Sequence, residues 1–115
     1  LVGDTGLVVL SDINAEMLVR GRDRMLDEGH SSRIACARIN AEALPFQAAS
    51  FDLVVSLIGA MFAPRPDLVA KDLLRVCTPG GTLAMANWTA EGFVGQMFKN
   101  VAKFIGPSGM PSPVL

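Results

Sequence analysis

Tyrosine is absent from this chain, histidine and tryptophan occur once each, and cysteine occurs twice in 115 residues. Cys36 and Cys77 each sit in an apolar stretch. Neither has a close His, Cys or acidic cluster, so a disulfide scaffold and a zinc-type site are both excluded. They are expected to be buried free thiols, which behave as small hydrophobes and fit a reducing cytoplasm. The single histidine, His30, follows Glu28 and Gly29 at the end of a helical pattern. It is expected to be an exposed residue of the cap region rather than a catalytic base. Charge is scarce as well: ten basic and eleven acidic side chains make up 18% of the chain and leave a net charge of -1. No electrostatic footprint for nucleic acid or an anionic membrane is present. No apolar run approaches the ~20 residues of a transmembrane helix, and no signal-peptide pattern opens the chain. An integral membrane segment is not expected.

What is present is apolar. Half of the residues are hydrophobic and the mean hydropathy is +0.40, which excludes global disorder. The length is that of one domain or part of one. Strand and helix patterns alternate along it. Residues 6–12 read as a short buried strand, apolar throughout and β-branched in part. Asn14 is a good N-cap for a helix running to about Glu28, with Met17, Leu18, Gly21 and Met25 on one face and Gly29 as the stop. Residues 33–39 read as a second strand and residues 40–46 as a loop. Residues 51–58 form the clearest strand, leading into a proline-containing loop through Pro66. A helix is expected over 67–76, a turn at 78–81, a fourth strand over 82–88, and a last helix from about 89 to 105. Residues 106–115 hold three prolines and two glycines and read as a tail. This order implies an α/β layered domain with a largely parallel sheet. The eleven or so residues between the second and third strands are near the lower limit for a parallel crossover, so an economical loop or a short helical turn near Ala48 is required.

In such a sheet, ligands sit at the carboxyl ends of the strands. Asp12 stands at the first of these ends. A carboxylate there can accept hydrogen bonds from two ribose hydroxyls, or simply cap the following helix; position alone does not choose. Ile13 beside it is placed to pack on a base face or in the core. The second end, NAEALPF over 40–46, offers a polar side chain and free backbone groups to an adenine edge, while Leu44 and Phe46 anchor the loop. The third end, Ser56-Leu57-Ile58-Gly59, lies where a central strand would face the reacting atoms of a cofactor.

Taken together, DINAEMLVRGRDRMLDEG, NAEALPF, FDLVVSLIGAMF and LLRVCTPGG followed by a strand resemble the class I S-adenosylmethionine-dependent methyltransferases. The first two segments are especially similar to the ubiquinone/menaquinone biosynthesis C-methyltransferases, within the methyltransferase type 11 group. The resemblance runs from Gly6 to about Trp88. It implies a Rossmann-like, doubly wound parallel sheet and S-adenosyl-L-methionine as cofactor. Asp12 would then be the ribose ligand and Ile13 an adenine-packing residue. Asn40 and Ala41 would be the adenine-edge contacts, and the backbone near Leu57 a wall of the methionine pocket. The reaction implied is methyl transfer to a small-molecule acceptor, apolar or quinone-like. An activated sulfonium needs alignment and desolvation more than a fixed catalytic side chain, and the sequence names none. The chain departs from the quinone enzymes at Leu57, where they carry a serine; here Ser56 lies one position earlier, and a one-residue slip on a strand reverses the side-chain face. Downstream, LAMANWTAEGFVGQMFK is closer to broader small-molecule methyltransferases. Asn87 and Trp88 are placed either to line a substrate cavity or to pack and cap. The last helix, with Phe93, Met97, Phe98, Val101 and Phe104, reads as a buried helix or a lid.

The family's first strand and GxGxG loop have no counterpart in the chain, which leads us to expect a partial methyltransferase domain over 1–105 with about four strands, inactive by itself. In the family that strand lies between those matching residues 8–12 and 51–58. Adjacent strands sit about 4.8 Å apart, whereas a missing one leaves about 9.6 Å. Either these two strands close up and pair directly in parallel, or the gap persists as an exposed cleft and the chain aggregates; closure is the expectation. Two rival functions are a nicotinamide-dependent oxidoreductase, which also uses an acid at this strand tip, and a non-catalytic interaction module. NAEALPF and the following FD-strand argue against the first.

Overall fold

Strands and helices alternate in a computed structural model that describes residues 2–3, 5–30 and 33–105. The elements are β1 (Val8–Asp12), α1 (Ala15–Asp27), β2 (Ile34–Arg38), β3 (Phe51–Leu57), α2 (Pro66–Val76), β4 (Cys77–Ala86) and α3 (Phe93–Ile105). A single 3-10 turn, Ala60–Phe62, interrupts the loop before α2. The tail expected over 106–115 lies outside the described residues.

The capping signals in the first half act as anticipated, but the first strand, expected to be buried, leaves Val8, Ser11 and Asp12 exposed. Asn14 Oδ1 accepts hydrogen bonds from the N–H groups of Glu16 (2.9 Å) and Met17 (3.5 Å), capping α1. Gly29 has φ +78°, and the His30 N–H returns to the Met25 carbonyl at 2.9 Å, a left-handed stop that favours glycine. His30 is exposed, as expected. Leu18 is buried and Gly21 lies against β1: a Cβ there would meet Leu10 Cδ2 at 2.8 Å. Met17 is exposed rather than inward, because only one narrow stripe of α1 meets the two short strands.

The second half shows larger differences. Pro66 is the first residue of α2, not the end of the loop, a position that suits a residue without an N–H. Residues 78–81 belong to β4 rather than to a turn before it. Phe51 pairs with Cys77 but Leu53 with Thr82, so two steps along β3 answer five along β4 and three residues are pushed out as a bulge. Gly80, at φ +80°, and Gly81, where a Cβ would meet the Asp52 carbonyl oxygen at 2.9 Å, make that bulge possible. The last helix starts at Phe93, and it is not a buried helix: Phe104 is 89% exposed. Cys36 is exposed and Cys77 only partly covered, against the expectation for both thiols; one face of the β1–β2 pair has no layer over it among the described residues.

Among the described residues the strand pairings are parallel, but they form two sheets of two strands, β1–β2 and β3–β4. Closure is therefore overturned. β1 and β3 do not pair, and the gap between them persists. The physical reason lies in prior commitments. α1 packs on β1 and β2, and α2 packs on β3 and β4, so each strand pair is already held by its own helix. The principal core lies under α2, where Ala60, Val69 and Leu73 are buried against Ala41, Leu44, Val54, Ala63 and Leu83. No helix among the described residues is long and apolar enough to cross a membrane.

Two outcomes follow from this packing. Leu73→Ala should cost about 2–5 kcal/mol in urea unfolding, the range for a buried leucine. Leu74→Ala, at a side chain 65% exposed, should cost no more than about 0.5 kcal/mol. Equal effects would place the core elsewhere. The unpaired strand edges facing the gap should also drive concentration-dependent association in sedimentation velocity; a monomer at all concentrations would show that an open edge is tolerated.

Candidate functional site

The gap between β1 and β3 is a cavity of about 480 Å³, within the size range of small-ligand sites. Asp12, Ile13, Asn40, Ala41 and Leu57 all line it. Residues from three strand ends, far apart in sequence, thus share one wall system.

Asp12 is seen in the second of the roles that its position left open, at the turn into the following helix. Its Oδ1 accepts a hydrogen bond from the Asn14 N–H at 2.8 Å, tightening the turn into α1. Among the described residues Oδ2 has no partner, so one acceptor oxygen stays free at the strand tip. Ile13 is exposed beside it, and its carbonyl is held by Arg38 Nε at 2.8 Å. This bond and the direct Asp12–Arg38 pairing across the strands fix the turn. Asn40 turns its own loop: Oδ1 accepts from the Glu42 N–H at 3.0 Å, and the Ala43 N–H reaches the Asn40 carbonyl at 3.0 Å. The crossover to β3 is an economical loop, with Ala49 at φ 54° rather than a helical turn.

At the end of β3, Leu57 is 73% exposed. Ser56 also lines the cavity, and its Oγ accepts from the Ala60 N–H at 3.2 Å. One lone pair of the hydroxyl thus serves the local turn. Ile58 sits at φ 65°, a left-handed conformation that costs a β-branched residue on the order of 1–3 kcal/mol. It is held there by its N–H on the Ala86 carbonyl at 2.7 Å. Asn87 lines a separate, smaller cavity of about 250 Å³ with Met61, Leu74 and Met85, and Trp88 is not among its walls.

Sequence reasoning attached no role to four charged residues that shape the cleft. Glu42 lines the cavity with a side chain only 5% exposed. Its carboxylate accepts from the Arg65 N–H (2.8 Å), Nε (2.9 Å) and Nη2 (2.7 Å). Arg65 is the N-cap of α2, so Glu42 supplies an anion where the helix presents free N–H groups. Near the other end, Asp72 Oδ2 accepts from the Leu44 N–H at 2.6 Å, and Arg75 donates to the carbonyls of Phe46 (2.6 Å) and Leu44 (2.9 Å). The only signal available beforehand was the three-residue spacing of Asp72 and Arg75 on one helix face, which fits a solvated ion pair equally well.

Residues 2–85 match a family model described as a methyltransferase domain. An uncharacterised protein of Mycobacterium tuberculosis is 43% identical over 101 residues, covering 87% of this chain and 36% of that protein. The ubiquinone/menaquinone biosynthesis C-methyltransferase UbiE of Methylococcus capsulatus is 44% identical over 88 residues, 76% of this chain and 36% of its own length. The crystal structure of a candidate methyltransferase from Bacillus halodurans superposes with a TM-score of 0.70 at 27% identity, over 84% of this chain and 42% of that one. The chain spans little more than a third of the curated relatives it matches.

The two carboxylates are expected to make the loop between β2 and β3 sensitive to acid. Hydrogen bonds from the Arg65 side chain and backbone hold the Glu42 pKa below its ordinary 4.5, against the opposing effect of burial. Bonds from Arg75 and the Leu44 N–H do the same for Asp72 below 3.8. Because the folded pKa values are lowered, the stability these groups contribute is complete above about pH 4.5 and is lost as pH falls through the folded values. The urea midpoint should therefore fall with acid below about pH 4.5, and Glu42→Gln should flatten that slope. An unchanged slope in Glu42→Gln would remove this pair from the acid response.

Proposed function

We propose a cofactor-binding role for this cleft from the premise that the chain belongs to the methyltransferase domain family, whose model matches residues 2–85. The ligand is S-adenosyl-L-methionine, and the observation that carries the reading is the convergence of Asp12, Asn40 and Ala41 on one cavity. The free Oδ2 of Asp12 is an acceptor for a ribose hydroxyl, while Oδ1 stays on the Asn14 N–H. Ile13 offers an apolar surface to the base. The Asn40 amide nitrogen and the Ala41 backbone supply polar partners for the adenine edge. Leu57 gives an apolar wall on the opposite side.

When bound, the cofactor supplies an activated sulfonium methyl. The chain's own contribution is to fix the nucleoside end and exclude water from the apolar β3 wall, which is how alignment is converted into rate. The acceptor is a small molecule, apolar or quinone-like. No side chain of the cleft is assigned a proton-transfer role.

The fit covers half of the ligand. The sequence has no GxGxG loop, which would allow close backbone approach to the methionine end, and β1 and β3 both line the open cavity. We read residues 1–105 as part of a methyltransferase domain whose slot takes a further parallel strand with that loop. The chain alone is then expected to transfer no methyl group. The cytoplasmic setting we propose is supported by the free thiols, which fit a reducing compartment.

Binding distinguishes this from the nicotinamide and interaction-module readings. S-adenosylhomocysteine should shift the amide resonances of Ile13, Asn40 and Ala41 with a midpoint no tighter than about millimolar, about -4 kcal/mol. NAD should not compete, and Asp12→Ala should weaken the titration about tenfold, as expected for a lost hydrogen bond to a charged group. A micromolar midpoint would show that the glycine loop is dispensable. Unshifted resonances at saturating ligand, or an unchanged midpoint in a folded Asp12→Ala variant, would end the assignment.

A further inference from the structure

We infer that Asp72 and Arg75, with Arg65 at the other end of α2, are positioning residues that set the conformation of the loop carrying Asn40 and Ala41. None of the three lines the cavity. The inference rests on the reading of that loop as the adenine-edge contact.

The loop has no ladder to hold it, so its backbone groups need partners from elsewhere. Leu44 finds both of its partners on α2: its N–H on Asp72 Oδ2 at 2.6 Å and its carbonyl on Arg75 Nη2 at 2.9 Å. The Phe46 carbonyl takes Arg75 Nη1 at 2.6 Å, and Arg75 Nε closes the set on Asp72 Oδ1 at 2.9 Å. One planar guanidinium therefore holds three acceptors in fixed directions. A lysine, with one nitrogen on a flexible stem, cannot reproduce this fork. Glu42 repeats the arrangement at the N-terminal end through Arg65. Further along, the N–H groups of Ala49 and Ser50 donate to the Arg75 and Val76 carbonyls, both at 2.8 Å, and cap the helix. The crossover is thus fastened along the length of α2. Because α2 is anchored by buried Val69, Leu73 and Val76, the fastened loop inherits the helix's rigidity. Asn40 and Ala41 lie immediately before the first fastened residue, so the path of the loop determines where their polar groups stand in the cleft.

The test uses the isotopically labelled chain with Arg75→Lys, which keeps the charge beside Asp72 but loses the fork, and with Asp72→Asn, which keeps a neutral acceptor. Hydrogen exchange at the Leu44 amide should accelerate about tenfold, in Asp72→Asn because its acceptor loses its charge and in Arg75→Lys because Asp72 and the Leu44 carbonyl lose the fork that aligns them. In the S-adenosylhomocysteine titration, the shifts at Asn40 and Ala41 should shrink while the shift at Ile13 remains. Arg20→Lys, in an exposed pair with Glu16, should change neither readout. Unchanged Leu44 exchange with unchanged Asn40 and Ala41 shifts in a folded variant would overturn the inference. Uniform weakening at Ile13, Asn40 and Ala41 would also overturn it, since that pattern belongs to a general loss of structure. If Arg75→Lys does not fold, Asp72→Asn carries the same two readouts. If the unsubstituted chain shows no ligand shifts, the cofactor reading fails separately. The positioning role is then decided by Leu44 exchange and by the ligand-free Asn40 and Ala41 resonances, and no change in either would overturn it.

Discussion

The backbone of one loop is satisfied by the side chains of one helix, and the geometry of the cleft depends on that exchange. Leu44 and Phe46 hand their polar groups to Asp72 and Arg75, and Glu42 hands its carboxylate to the start of the same helix. A loop over an apolar core would otherwise carry unpaired N–H and C=O groups, which are costly to desolvate. The helix itself is fixed by hydrophobic burial. Its polar side chains pass that fixity to a segment with no secondary structure of its own, so order in the core becomes order at the cavity wall.

The second constraint is a negative one. β1 and β3 expose edges to the same space and do not meet. Direct pairing would satisfy both rows of backbone groups, yet it would require each strand pair to slide on its own helix. The crossover between them is already fastened to α2, so its slack is spent. Packing within each of the two β–helix units holds its own strands, and the gap between the units is a cavity of about 480 Å³. The gap also leaves apolar side chains uncovered. Leu53, Val55 and Leu57 on β3 are each more than half exposed, and they form a surface suited to a neighbour on that side.

Membership in a methyltransferase family does not by itself name a reaction, since sites rather than folds carry chemistry. The proposed cofactor role concerns the nucleoside end more than any acceptor. A carboxylate with one oxygen occupied and one free, an amide-bearing loop and an apolar wall are recognition features. None of them is assigned a proton-transfer step. That is consistent with chemistry whose activation resides in the cofactor, where placement and dryness are the protein's share.

Much of this was legible from the residues. Asn14, Gly29 and the alternation of apolar segments marked α1, β1 and β2, because caps, left-handed stops and β-branched runs act through local sterics and hydrogen bonds. The strand tips at Asp12, Asn40 and Leu57 were also readable as one candidate site, since parallel α/β topology sends those ends to the same side. What the residues did not reveal is long-range and competitive. The bulge at 78–81 arises from the register against β3, the exposure of Cys36 and Phe104 from layers that do not cover them, and the open gap from packing in two separate units. The roles of Glu42, Arg65, Asp72 and Arg75 belong to the same class: their partners lie 23 to 31 residues away or on backbone atoms of a loop. Local physics is written residue by residue and can be read in order. A charged side chain's partner, and the closing of a gap, are decided only when distant segments compete for the same space.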